Sequence, residues 1–217
     1  DNFARGLIDA GVKILRVGNT LKVDEAIFPF TSIGKMQNSV EQKNIKRLKI
    51  QAEEFRKMAL QYKRSFGKAE REQRSLLFRE MKKIRKEIRD IRNHFDGKLY
   101  EKADVILGTP IGLKNFLPKE AVFDSLFFDE AGQCVEPLAW LIFPFAKTWV
   151  LAGDPFQLPP TVLSAEAIKK GFNVSILEKA FDKCENVYFL DTQYRMRKSI
   201  ADFSSRYFYN SELRTPE

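Results

Sequence analysis

Histidine, cysteine and long apolar runs are scarce or missing in this 217-residue chain, and each shortage closes a class of function. Two cysteines, Cys134 and Cys184, make no disulfide framework, which points to a reducing, intracellular setting, whether cytoplasmic or nuclear (or nucleoid). His94 is the single histidine, and with the two cysteines far apart in sequence a zinc site is not expected. No apolar run approaches the ~20 residues that cross a bilayer, and no signal peptide is recognisable, so no membrane partner is expected. Internal repeats and low-complexity tracts are also missing. So is any G-x-x-x-x-G-K-[ST] phosphate loop: Gly34-Lys35, Gly67-Lys68 and Gly97-Lys98 lack the upstream glycine and the following hydroxyl residue. The chain opens on Asp1-Asn2-Phe3 with no initiator methionine, which reads as a piece of something longer.

What the chain does have is an uneven charge. The formal net charge is +8, on 30% charged and 44% apolar residues. Residues 41–96 hold 18 Lys and Arg against 9 Asp and Glu, so this segment carries the whole excess. Apolar or small residues recur there at Ile45, Leu48, Ala52, Phe55, Ala59, Tyr62 and Phe66, and again at Leu77, Met81, Ile84, Ile88, Ile91 and Phe95. Steps of three and four are a helical seam of coiled-coil type. Gly67 falls between the series and suits a helix stop. The spacing predicts an antiparallel helical hairpin over roughly residues 40–66 and 68–96. Its charges are either a solvated face or an arm that contacts phosphates.

On either side the pattern changes to short apolar runs separated by helical stretches. Strands are predicted at Val12–Val17, Ala103–Leu107, Ser125–Phe128, Thr148–Leu151 and Asn186–Leu190, and helices at Ser164–Lys170 and Ser175–Phe181. This alternation implies an α/β domain, a parallel sheet of about five strands with helices on both faces, into which the hairpin is inserted. The expected division is 1–39 with 97–217 for the α/β body and 40–96 for the insertion.

Three of these strands run into polar loops: Asp129-Glu130-Ala131-Gly132-Gln133, Gly153-Asp154-Pro155-Phe156-Gln157-Leu158-Pro159-Pro160, and Asp191-Thr192-Gln193-Tyr194-Arg195-Met196. In a parallel sheet all three ends share one edge, the edge where open α/β sheets bind ligands. Carboxylates at Asp129, Glu130 and Asp154, amides at Gln133 and Gln157, the Tyr194 ring and the Arg195 guanidinium suit a magnesium nucleotide. A hard cation takes carboxylate oxygen, and phosphoryl transfer needs a cation and a group that orients water.

DEAGQ, GDPFQLPP and DTQYRM, in this order, resemble motifs II, III and IV of the superfamily 1 helicases, in the branch of the nonsense-mediated-decay helicase, senataxin and the immunoglobulin-mu-binding helicase. ILGTPIG, from Ile106 to Gly112, resembles motif Ic of that branch. The match covers residues 1–20 and 100–217, and the hairpin matches only in position and helical character. It implies a RecA-like, P-loop NTPase-type motor domain and ATP hydrolysis coupled to movement along single-stranded DNA or RNA. By resemblance, Asp129 holds Mg2+ mostly through water, Glu130 is the general base, Gln157 senses the terminal phosphate, Arg195 contacts it, and Tyr194 stacks on adenine. Gln133 and Asp154 support them. Thr109 and Gly112 touch the nucleic-acid backbone, and Pro160 and Thr161 shape the strand-binding surface. Lys82, Arg85 and Arg89 of the hairpin are added as nucleic-acid contacts on charge alone. The missing phosphate loop is expected before Asp1 and a second RecA-like domain after Glu217, so the chain alone is not expected to hydrolyse ATP. Two rival classes stand beside this: a non-catalytic nucleic-acid binding module, and a coiled-coil arm that docks a protein.

Overall fold

A computed structural model of the chain describes residues 2–21, 23–37, 39–61, 67–181 and 183–216. It is a mixed α/β structure that divides by packing into residues 1–121 and 122–217.

In the first unit, helix α1 (Asn2–Asp9) turns its Ala4 side inward and is followed by strand β1 (Ile14–Arg16). Further along come α2 (Ser32–Met36), α3 (Val40–Leu60), α4 (Lys68–Lys102), β2 (Val105–Leu107) and α5 (Pro110–Phe116). β1 and β2 pair in parallel, Ile14 opposite Val105 and Arg16 opposite Leu107. Ile14 and Ile27 are buried here with Ala4, and Leu7, Ile8 and Val105 pack around them. The helices begin where hydroxyls can satisfy orphan N–H groups. Thr31 accepts from Gly34 N–H at 2.9 Å, and Ser39 from Gln42 N–H at 3.1 Å.

α3 and α4 pack through the predicted stripe. Ile45, Leu48 and Ala52 of α3 are buried with Met81, Ile84 and Ile88 of α4, and Phe55, Phe78, Ile91 and Phe95 close the edges. The seam positions Tyr62 and Phe66 lie outside the described residues. Two details differ from expectation. Gly67 starts α4 rather than stopping α3, its N–H donating to Glu70 Oε2 at 3.0 Å. α4 also runs on through Gly97 to Lys102, because a glycine costs a helix about 1 kcal/mol and this one belongs to a 35-residue helix packed along α3.

The second unit holds β3 (Phe123–Phe128), α6 (Glu136–Ala139), β4 (Ala146–Leu151), α7 (Ala165–Lys169), α8 (Ile176–Phe181) and α9 (Lys198–Phe208). β3 and β4 are parallel, with Phe123 opposite Ala146 and Phe128 opposite Leu151. Phe143 is the buried centre of an aromatic group: Trp149 stacks on it at 4.4 Å, and Trp140 and Phe128 meet it edge-on. Trp149 Nε1–H donates to Phe143 O at 3.0 Å, so its polar end is satisfied as well.

The expected sheet is therefore seen as two pairs of parallel strands, one in each unit. Asn186–Leu190 does not form the predicted strand. Tyr188 and Leu190 are both 87% exposed, and a strand needs a partner ladder that this segment does not have among the described residues.

Candidate nucleotide and nucleic-acid sites

Register brings the first two polar loops together. Because Phe128 lies opposite Leu151, the chains leave β3 and β4 at the same end, and pairing continues past the strands. Ala152 N–H donates to Phe128 O at 2.8 Å, and Ala131 N–H to Ala152 O at 2.9 Å. Asp129 and Asp154 thus stand at one edge, as strand polarity predicted.

The two loops touch backbone to backbone, and two glycines allow it. A Cβ on Gly132 would lie 2.8 Å from Asp154 O, and one on Gly153 would lie 2.9 Å from Gly132 N. Neither approach is sterically possible for a side chain. α8 supports the pair from beside, with Leu177 Cδ2 3.1 Å from the same Gly153 position. Ser175, fully buried, caps that helix reciprocally with Glu178: Ser175 N–H and Oγ–H both donate to Glu178 Oε2 at 2.8 Å, and Glu178 N–H returns to Ser175 Oγ.

Glu130 is left-handed, with φ 55° and ψ 36°. Glutamate has no intrinsic reason to adopt that conformation, and such strain gathers where geometry is imposed by function. Its N–H donates to Asp129 Oδ1 at 3.0 Å, and Gln133 Nε2–H donates to Glu130 Oε2 at 3.2 Å. Asp129 Oδ2 takes no hydrogen bond among the described residues, nor does Glu130 Oε1, and both residues are exposed.

Asp154 is half-buried and fully engaged. Oδ1 accepts Phe156 N–H at 3.0 Å, while Oδ2 accepts Gln157 Nε2–H at 3.0 Å and the Tyr209 hydroxyl at 2.5 Å. Burial and the neighbouring Asp154 carboxylate push the Tyr209 phenol up to about 12. Pro160 is buried, and Thr161 beside it is exposed.

The third loop is organised by a residue that sequence reasoning passed over. Gln193 Oε1 accepts the N–H groups of Arg195 (2.9 Å) and Met196 (2.8 Å), and its Nε2–H donates to Met196 O and to Thr215 Oγ1. The turn this makes leaves Tyr194 83% exposed and Arg195 exposed, without side-chain partners among the described residues. At the start of this loop, Asp191 O accepts Arg214 N–H at 2.6 Å, and Arg214 Nε lies 3.6 Å from the Asp191 carboxylate.

The remaining candidates belong to the first unit. Thr109 caps α5, its Oγ1 accepting Gly112 N–H at 3.2 Å, which accounts for the Thr-x-x-Gly spacing without a ligand. Gly112 also lines a cleft of ≈ 530 Å³ with Arg16, Thr20, Asn93, Asp96 and Asn115. On α4, Lys82, Arg85 and Arg89 are exposed. Nearer the start of the helix, Arg71, Arg74, Arg79 and Lys82 surround Phe78, with the Arg74 guanidinium 5.6 Å from its ring centre. The sequence flagged this segment's charge but not that cluster. Among the described residues no group of three or more His, Cys, Asp and Glu could hold a metal, and no helix is long and apolar enough to cross a membrane.

Comparison with known proteins matches residues 1–165 to a family described as an AAA domain, and residues 172–217 to a second AAA domain description. DNA-binding protein SMUBP-2 of Mesocricetus auratus is 32% identical over 158 residues, 68% of this chain and 16% of that protein. Helicase SEN1 of Saccharomyces cerevisiae is 41% identical over 93 residues, 42% of this chain and 4% of its own length. A Methanocaldococcus jannaschii protein named an uncharacterized ATP-dependent helicase is 31% identical over 140 residues, 64% of this chain and 21% of that one. The chain thus spans a small part of each relative.

Proposed function

Since the chain belongs to the AAA domain family, in the superfamily 1 branch of helicases related to SMUBP-2 and SEN1, we propose that it is part of an ATP-dependent helicase or translocase acting on single-stranded nucleic acid. The observation that carries this reading is the pairing of Asp129-Glu130 with Asp154 at one end of two parallel strands.

The donor set fits a magnesium nucleotide. Asp129 offers one carboxylate oxygen not used within the protein, and magnesium, which keeps most of its water, needs only one or two carboxylates. Bound magnesium and ATP would supply the reactive phosphoryl group and neutralise its charge. Asp129 would hold the metal's water shell. Glu130, set by its left-handed backbone and steadied by Gln133, would accept a proton at Oε1 from the attacking water. Gln157 would orient toward the terminal phosphate from its bond with Asp154, Arg195 would supply a cation there, and Tyr194 would stack on the base. Thr109, Gly112 and Thr161 are proposed to face the nucleic-acid backbone. Pro160, being buried, would shape that surface only from beneath.

In the same reading, residues 1–39 and 97–217 form the body of a RecA-like domain, residues 40–96 are its inserted antiparallel hairpin, and a second RecA-like domain of the same protein completes the site in an intracellular compartment. Lys82, Arg85 and Arg89, with the basic ring around Phe78, suit a phosphate backbone with a base stacked on the aromatic face. The test is magnesium-dependent ATP hydrolysis by the whole protein with and without single-stranded DNA or RNA. Hydrolysis stimulated by the nucleic acid is expected. None in either condition overturns the reading.

A further inference from the structure

Tyr209 lies 15 residues beyond Tyr194 and outside every stretch that the sequence marked for chemistry, yet its hydroxyl is spent on Asp154, 55 positions away. Its ring is held in place. Phe189 stacks on it at 5.9 Å, Phe156 meets it edge-on at 5.6 Å, and Phe208 adjoins at 6.4 Å. Phe156 belongs to the Asp154 loop itself, so the phenol grips that loop by its ring and by its oxygen.

The backbone after Tyr209 leads to the other loop. Asn210 (φ 50°) and Ser211 (φ 63°) are consecutive left-handed residues, a conformation that Asn tolerates and Ser seldom adopts unaided. It is pinned by Ser211 N–H to Ser205 O (2.8 Å), Glu212 N–H to Tyr209 O (2.7 Å) and Ser205 Oγ–H to Leu213 O (3.0 Å). The chain emerges at Arg214, whose O accepts Gln193 N–H at 2.9 Å, and at Thr215, whose Oγ1 accepts Gln193 Nε2–H. Gln193 in turn shapes the backbone of Arg195. A continuous path through the pinned turn and its hydrogen bonds therefore joins the residue that holds Gln157 to the residue that sets Arg195.

We infer that Tyr209 is a positioning residue that ties the Asp154–Gln157 loop to the Gln193–Arg195 loop, so that the two phosphate-facing side chains are set as one unit. The inference rests on the functional reading above. It explains why a phenol stands where the aromatic cluster alone would be satisfied by phenylalanine. Oδ2 of Asp154 must hold the Gln157 amide in one direction, and a second donor on that oxygen fixes the carboxylate against rotation.

The test is Tyr209→Phe in the whole protein, which keeps the ring and removes the donor. Without that orienting hydrogen bond, kcat for ATP should fall about tenfold while KM changes less than about twofold. In a Gln157→Ala background, Tyr209→Phe should produce a smaller further drop, because part of the hydroxyl's effect passes through that amide. A second measurement does not depend on activity: in 13C-tyrosine NMR the Tyr209 signal should titrate near 12, and in Asp154→Asn it should move toward 10, the ordinary value for tyrosine. Unchanged kcat in Tyr209→Phe, or full additivity with Gln157→Ala, overturns the inference while hydrolysis by the unsubstituted protein keeps the functional reading. Full turnover in Glu130→Gln would instead remove that reading, and this inference with it.

Discussion

A glycine and a phenol illustrate how tightly single residues are constrained around the strand ends. A Cβ on Gly153 would lie 2.9 Å from Gly132 N, closer than real Cβ atoms come, and 3.1 Å from Ala131 N. Gly153→Ala should therefore force the two loops apart and destabilise the second unit by about 1–3 kcal/mol, seen as a lower midpoint in urea unfolding. Tyr209 gives a pH signature of the opposite kind to the usual carboxylate. Its folded value, about 12, lies above the ordinary value of about 10, so folding favours the neutral phenol. That contribution is complete below about pH 10 and disappears as pH rises through about 12. Tyr209→Phe should remove this alkaline part of the stability profile and leave the profile below about pH 9 unchanged in shape. The acids at Asp129 and Asp154 were legible in the sequence because charges directly after an apolar run must lie at its exposed end. Gln193 and Tyr209 were not legible. Tyr209 meets Asp154 55 residues away and Gln193 reaches Thr215 22 residues on, and in the sequence nothing distinguishes either from ordinary aromatic and turn residues.

At the scale of elements, α3 and α4 show what periodicity can and cannot say. Steps of three and four located the buried stripe, because those side chains share one helix face whatever the helix packs on. Gly67, read as a helix stop, instead begins α4. Ile45 is 1% exposed in this stripe, and Ile45→Ala should cost about 2–5 kcal/mol, measured as helical signal that disappears at lower urea. The outward face makes a separate prediction. Reversing Arg79, Lys82, Arg85 and Arg89 to Glu should weaken binding of single-stranded nucleic acid by orders of magnitude at low salt. It should also flatten the slope of log K against log salt by about 0.7 for each phosphate that the face no longer neutralises. Basal hydrolysis should not change. Affinity and slope equal to those of the unsubstituted protein would make the face a solvated one. The Asn186–Leu190 segment failed for a reason outside its own sequence: an apolar run becomes a strand only when a neighbour offers a ladder.

For the whole molecule, the central claim is that strand ends gather a carboxylate for magnesium and a carboxylate for water, and that a larger protein uses them to hydrolyse ATP while moving on nucleic acid. Family membership supports the class of protein, while the roles of Asp129 and Glu130 rest on geometry and resemblance. The most direct test is single-turnover ATP hydrolysis by the whole protein carrying Glu130→Gln, with nucleotide binding measured alongside. The amide fills the same space and keeps the Gln133 neighbour, but cannot accept a proton from water. The account predicts that hydrolysis falls by a factor of about 10²–10⁴ while magnesium-dependent ATP binding is retained. Turnover equal to that of the unsubstituted protein would contradict it.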